Sequence, residues 1–145
     1  MFMSTEIIYQ LLLATFLGAI IGIEREMKKR EAGLQTYSLV ALGACFFTII
    51  AFSLAANRVI ADPSVIIVAI AIGMGFIGAG SIFRGEGKIK GLTTAAGLWV
   101  TAAIGLAVGA RFYSLAFVAI LLALLIFIGF GLLEKKLFKR SYQET

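Results

Sequence analysis

The sequence predicts an all-α polytopic membrane protein, a five-transmembrane-helix bundle forming a single domain over residues 1–145, and three observations carry that prediction. Hydrophobic residues make up 61% of the 145 positions and charged residues 14%, and the mean hydropathy is +1.01, outside the balance of a soluble domain. Five apolar runs approach the roughly 20 residues that a helix needs to cross a bilayer. The charges gather in the short connections between those runs, as they do in polytopic proteins.

The runs cover residues 6–23, 37–56, 64–83, 91–110 and 112–133. The first connection, 24–36, holds Arg25, Lys28, Lys29 and Arg30; the third, 84–90, holds Arg84, Lys88 and Lys90; the tail holds Lys135, Lys136, Lys139 and Arg140. Of 13 Lys and Arg, only Arg58 and Arg111 fall at the other ends of the spans. The positive-inside rule then puts the N-terminus outside and the C-terminus in the cytoplasm of a bacterial inner membrane. Residues 1–10 hold no Lys or Arg, so the first run reads as a retained span and not a cleaved signal peptide. The tail, rich in Lys beside Phe138 and Tyr142, is too short for a folded module and suits anchoring at an anionic leaflet.

Cys45 is the single cysteine and sits in an apolar stretch, where a thiol packs as a small hydrophobe. There is no histidine, so any metal would be held by oxygen, which favours Mg²⁺ or Ca²⁺ over zinc. No Ser-His-Asp set, Cys-His pair or phosphate-binding loop appears, and the expectation is a protein that is not an enzyme. Nothing aromatic interleaves with the charge runs, which excludes a nucleic-acid reading of the net charge of +5.

Two segments read alike. Gly18 and Ala19 precede Arg25 and Glu26, and Gly33-Leu34-Gln35-Thr36 opens span two; Gly78 and Ala79 precede Arg84 and Glu86, and Gly91-Leu92-Thr93-Thr94 opens span four. The pattern suits two parallel helix hairpins plus a fifth helix, against chance similarity among Gly- and Ala-rich spans. Both Gly-Leu-x-Thr segments fall at helix N-termini, where Thr36, Thr93 and Thr94 serve as caps or, less simply, help attract an anion or carboxylate.

Sixteen glycines exceed the usual share of about 7%. They form small-x-x-x-small stripes: Gly18 and Gly22 in span one, Gly75 and Ala79 with Gly78 in span three, and Thr93, Gly97, Thr101, Gly105 and Gly109 in span four. Such stripes let backbones approach closely in lipid, which makes span four the candidate central helix. Trp99 lies near the middle of that span and not at an interface, so it is expected to face another helix.

Glu24-Arg25-Glu26 lies where span one ends, and carboxylates there face the negative end of the helix dipole. Compensation is expected from Arg25, Lys28, Lys29, Arg30 or Arg84, from the N–H groups opening spans two and four, or from a bound cation. Asp62-Pro63 opens span three, with Asp62 as cap and Pro63 in the first turn; an outer acid beside Arg58 also suits attracting cations. Asp62 and the Glu24/Glu26 pair fall on opposite faces, about 30 Å apart, too far to share an ion.

These residues resemble the MgtC/SapB family of bacterial inner-membrane proteins over about residues 10–120. The resemblance is carried by Gly18-Ala-Ile-Ile-Gly22-Ile-Glu24-Arg25-Glu26, Ala32-Gly33-Leu34-Gln35-Thr36, Asp62-Pro63, the glycine cluster Gly73 to Gly80, and Gly91-Leu92-Thr93-Thr94-Ala95-Ala96-Gly97-Leu98-Trp99-Val100-Thr101. It implies an integral protein linked to magnesium-limited growth, acid stress and survival in hosts, acting as a Mg²⁺ transporter or as regulator of another membrane protein. The implied functional positions are Glu24, Arg25, Glu26, Thr36, Asp62, Gly75, Gly78, Thr93, Thr94 and Trp99. The family pattern usually has Arg where Gln35 and Val65 stand, and many members carry a further soluble domain. Together the readings give a lipid-embedded homo-oligomer with a cytoplasmic polar cluster of Glu24, Arg25, Glu26, Thr36, Arg84, Thr93 and Thr94. Glu24, Glu26 and Asp62 are the candidate Mg²⁺ ligands, and another membrane protein is the candidate partner.

Overall fold

The computed structural model describes residues 5–60, 62–85 and 88–137. Glu86 and the tail residues Phe138, Lys139, Arg140 and Tyr142 lie outside the described residues. The elements in chain order are α1 (Thr5–Met27), α2 (Leu34–Ala56), α3 (Ser64–Gly80), β1 (Phe83–Gly85), β2 (Lys88–Lys90), α4 (Leu92–Gly109), α5 (Tyr113–Leu124), a π-helical segment (Leu125–Phe130) and α6 (Gly131–Leu137). Four helical stretches are long and apolar enough to cross a membrane, Thr5–Met27, Leu34–Ala56, Leu92–Gly109 and Tyr113–Leu133, and the shorter apolar α3 makes the fifth. The chain is an all-α membrane protein.

α4 is the central helix, in contact with α1, α2, α3 and α5. Its small residues make this possible. A Cβ on Gly105 would lie 2.1 Å from the Ala41 carbonyl oxygen, and one on Gly109 would lie 2.7 Å from that of Cys45, so the α2 backbone fills the space a side chain would take. Gly18 and Gly22 do the same between α1 and α2, against Tyr37 and Leu34. Buried Gln10 of α1 ties the far end of α4 down, its Nε2 donating to the carbonyls of Val108 (2.8 Å) and Gly109 (2.9 Å). Cys45 is buried and free, its thiol donating to the Gln10 carbonyl, in keeping with a packing role.

The two expected hairpins share equivalent contacts. The small residue Gly18 packs on the carbonyl of Tyr37, four residues after Gly33, and Gly78 packs on that of Ala95, four residues after Gly91. In both, the N–H of the fourth residue returns to the glycine carbonyl, Tyr37 to Gly33 and Ala95 to Gly91. These matched contacts support the repeat. The second copy is looser, with ordinary van der Waals distances where the first is in close approach.

Several boundaries differ from the hydropathy reading. α1 continues beyond Ile23 to Met27, so Glu24, Arg25 and Glu26 are helical and not in a loop. It stops in a Schellman turn, with Lys29 N–H on the Glu26 carbonyl and Arg30 N–H on that of Arg25. The same turn ends α2 at Arg58 and α4 at Arg111, and all three of Lys29, Arg58 and Arg111 have positive φ. α3 ends at Gly80, short of Phe83, and the expected loop 84–90 instead contains a two-stranded antiparallel ladder pairing Phe83 with Lys90, Arg84 with Ile89 and Gly85 with Lys88.

Two packing expectations are not met within the chain. Gly75 has open space around it, because α3 buries Met74 and Gly78 against the bundle with Ile70 packed beside them, and Gly75 lies about 100° round the helix from Met74 and about 60° from Gly78. Trp99 is 52% exposed and faces no close-packed helix; it shares an open face with Leu92, Ala96 and Ala103. The opposite face of α4, with Thr94, Gly97, Thr101 and Gly105, is packed too closely to admit an indole.

Candidate functional site

The helical extension of α1 carries two charges into the protein. Arg25 is 3% exposed and Glu24 8% exposed, and burial of charge is costly unless the charge is paired. Arg25 Nε lies 2.8 Å from Glu24 Oε2, and Lys28 Nζ lies 2.6 Å from Glu24 Oε1, one helical turn on. These contacts are ion pairs outside hydrogen-bond geometry: both Glu24 oxygens and Arg25 Nε are shut off from solvent without a hydrogen-bond partner. Glu24 is thereby neutralised by two cations at once.

The cations reach the last span. The Arg25 guanidinium sits 4.1 Å above the Phe127 ring, a cation–π contact, and Lys28 Nζ donates to the Phe127 carbonyl at 2.7 Å. Phe127 belongs to the π-helical segment, a local widening of the helix that recurs at functional sites. Its ring fits the space left by Gly97, where a Cβ would meet both Phe127 Cζ and the Tyr37 hydroxyl oxygen. Fully buried Tyr37 donates to the Thr94 carbonyl at 3.4 Å, and the Thr94 hydroxyl donates to Glu31 at 3.2 Å. The cluster thus joins α1, the following connection, α2, α4 and the last span.

Of the expected cluster, the structure brings together Glu24, Arg25 and Thr94. Glu26 lies at its edge, accepting the Leu34 N–H at 3.1 Å, so the carboxylate expected at a helix N-terminus comes from the preceding helix. Thr36 and Thr93 are exposed and neither caps its helix: Gly33 and Gly91 hold those positions, without a side-chain cap. Arg84 is exposed on β1, away from the cluster. Lys28, one of the cations expected to compensate Glu24, joins the cluster, and Glu31, Tyr37 and Phe127 are its unforeseen members. The Glu24–Lys28 spacing is the sequence signal for Lys28, whereas Phe127 lies 99 residues from Lys28 and has none.

Glu24, Glu26 and Asp62 do not form a joint metal site. Glu24 is held by Arg25 and Lys28, Glu26 faces the start of α2, and Asp62 stands at the far end, where α2 leads into α3. Among the described residues no group of three or more His, Cys, Asp or Glu gathers. Asp62 holds the start of α3, one position earlier than a regular cap: Oδ1 accepts the Ser64 N–H at 2.8 Å and Oδ2 the Ser64 hydroxyl at 2.7 Å. These bonds hold its carboxyl below the usual range.

The chain is 39% identical to YhiD of Escherichia coli K12, provisionally named a magnesium transporter, over 97% of this chain and 67% of that protein. It is 39% identical to SapB of Bacillus subtilis, over 86% of this chain and 56% of that protein. It is 42% identical to MgtC of Brucella abortus, over 73% of this chain and 43% of that protein. The chain therefore spans about two thirds of YhiD and about half of the other two. No solved structure matches it. Residues 11–136 match the MgtC family, and with these relatives the match shows that the chain belongs to the MgtC family.

Proposed function

We propose that this chain is a non-enzymatic accessory protein of the bacterial inner membrane that regulates another membrane protein in magnesium-linked or acid-stress homeostasis. The observation that carries this reading is the double pairing of Glu24: its two oxygens are committed to Arg25 and Lys28, and a Mg²⁺ ion entering there must displace a cation from a buried site. The cluster so built fastens helices together. The basic end of the bundle, with Lys28, Lys29, Arg30 and the hairpin, faces the cytoplasm by the positive-inside rule.

The open faces of α3 and α4 supply contact surfaces for a second copy or a membrane partner. A Cβ on Gly73, Gly75 or Gly80 of α3 would meet nothing within 4 Å among the described residues, and Trp99 of α4 stands outward. Gly75→Leu tests this: it is expected to leave folding intact while abolishing a crosslinked homo-oligomer or a co-purified partner. The name of YhiD favours the other reading, an autonomous Mg²⁺ carrier. Flux into liposomes holding the purified chain alone separates the two, since a regulator carries no flux by itself.

A further inference from the structure

The hairpin between α3 and α4 stands outside the bundle. Its strands pair with each other and form no extensive contact with any helix among the described residues, and all six strand residues are exposed. A two-stranded hairpin of this size is at best marginal in water without something to pack against. Its base, by contrast, is fixed. Gly91 has φ +87, and a Cβ there would lie 1.9 Å from the Ser81 carbonyl oxygen, so the two helix ends are pressed together. The Ser81 hydroxyl donates back to the Gly78 carbonyl.

Helix length sets the depth of this base. α3 has 17 residues, about 25 Å at about 1.5 Å per residue, against a hydrocarbon core of about 30 Å. α4, with 18 residues, reaches about 27 Å, whereas α1 and α2, with 23 each, reach about 34 Å. The short helices end near the acyl boundary, and the hairpin that leaves them rises from there into the headgroup layer. The ladder suits that layer on both faces: Phe83 shares one face with Lys88 and Lys90, and Ile89 shares the other with Arg84. Against these three bases the sequence of the connection sets one acid, Glu86. Lys90 is engaged within the molecule, which leaves Arg84 and Lys88 for headgroups.

We propose that the hairpin is an interfacial lipid-binding element, with Phe83 and Ile89 seated at the acyl boundary and Arg84 and Lys88 on the phosphates of anionic lipids. The lipid supplies the packing surface that the bundle does not, and the basic pair supplies the preference for negative headgroups. The site holds whether the protein regulates or transports.

Full-length protein in nanodiscs tests it. Trp99→Phe with Phe83→Trp puts a single tryptophan on the hairpin, and Ile89→Trp supplies a second reporter position. Both are expected to be quenched by lipids brominated near the headgroup and shielded from aqueous iodide. In mixed phosphatidylcholine and phosphatidylglycerol discs, retention of phosphatidylglycerol should fall about fivefold for each of Arg84→Gln and Lys88→Gln, with Arg84→Lys retaining it. Iodide-accessible reporters at both positions, as for a hairpin awaiting a protein partner, overturn the proposal. So does a phosphatidylglycerol preference unchanged in both glutamine variants.

Discussion

Lys28, just past α1, is bonded through Nζ to the main-chain carbonyl of Phe127 in the last span, 2.7 Å away and 99 residues along the chain. The same nitrogen pairs with buried Glu24, and Arg25 covers the Phe127 ring. One short stretch of α1 therefore fixes the position of the last span. Lys28→Gln should cost about 1–2 kcal/mol, the low end for a charge-assisted hydrogen bond because Lys28 is partly exposed. Thermal unfolding in detergent measures the loss, and amide exchange of residues 125–130 should rise with it.

Removing Arg25 alone should be worse than removing the pair. Arg25→Ala leaves Glu24 buried beside a single, partly exposed cation, and breaking such a pair costs about 3–5 kcal/mol. Arg25→Leu combined with Glu24→Leu removes both charges and should recover a large part of that stability. A double-mutant cycle on the unfolding midpoint, with Arg25→Leu and Glu24→Leu singly and together, decides the point; a double-variant loss equal to the sum of the two single losses would deny the coupling.

The glycines divide by what surrounds them. Gly105→Ala drives a methyl into the Ala41 carbonyl and must separate α2 from α4, so a loss of at least about 1–3 kcal/mol is expected. Gly75→Ala meets open space and should be neutral or stabilising. Comparison of the two melting curves is the check.

Sequence shows the glycine stripes and cannot show which of them find a partner. The spans were legible because each is a long apolar run, and α4 was legible as the central helix from its four-residue spacing of Thr93, Gly97, Thr101, Gly105 and Gly109. Gly75 has the same spacing to Ala79, yet the residues that α3 buries are Met74 and Gly78. The cluster was half legible. Glu24 and Arg25 announce themselves as charges at a span's end, while Tyr37 and Phe127 look like ordinary apolar residues until the fold places them against Gly97. Strands of three residues, such as Phe83–Gly85 and Lys88–Lys90, are too short for alternation to register.

Three helices end with a basic residue in the left-handed conformation, which costs a residue with a Cβ about 1–2 kcal/mol relative to glycine. Arg58→Gly should therefore stabilise the protein by about 1 kcal/mol, after the loss of a favourable charge at the end of α2. A raised unfolding midpoint confirms the turn geometry; a lowered one contradicts it.

The start of α3 should respond to acid. Asp62 has a carboxyl pKa lowered by its side-chain and main-chain bonds to Ser64. Its contribution is fully present above the unfolded value of about 3.9 and is lost as pH falls through the lower folded value. Amide exchange at Ser64 should stay slow through mildly acidic pH and quicken only below that range. Asp62→Ala should show fast exchange at every pH.

The most direct test of the account is Mg²⁺ flux into proteoliposomes containing the purified chain alone, beside empty vesicles and vesicles holding Glu24→Gln or Asp62→Asn. The accessory reading predicts that flux through the folded, inserted protein equals that of empty vesicles. Protein-dependent Mg²⁺ entry that is abolished by Glu24→Gln or Asp62→Asn would contradict it and make the chain a carrier in its own right.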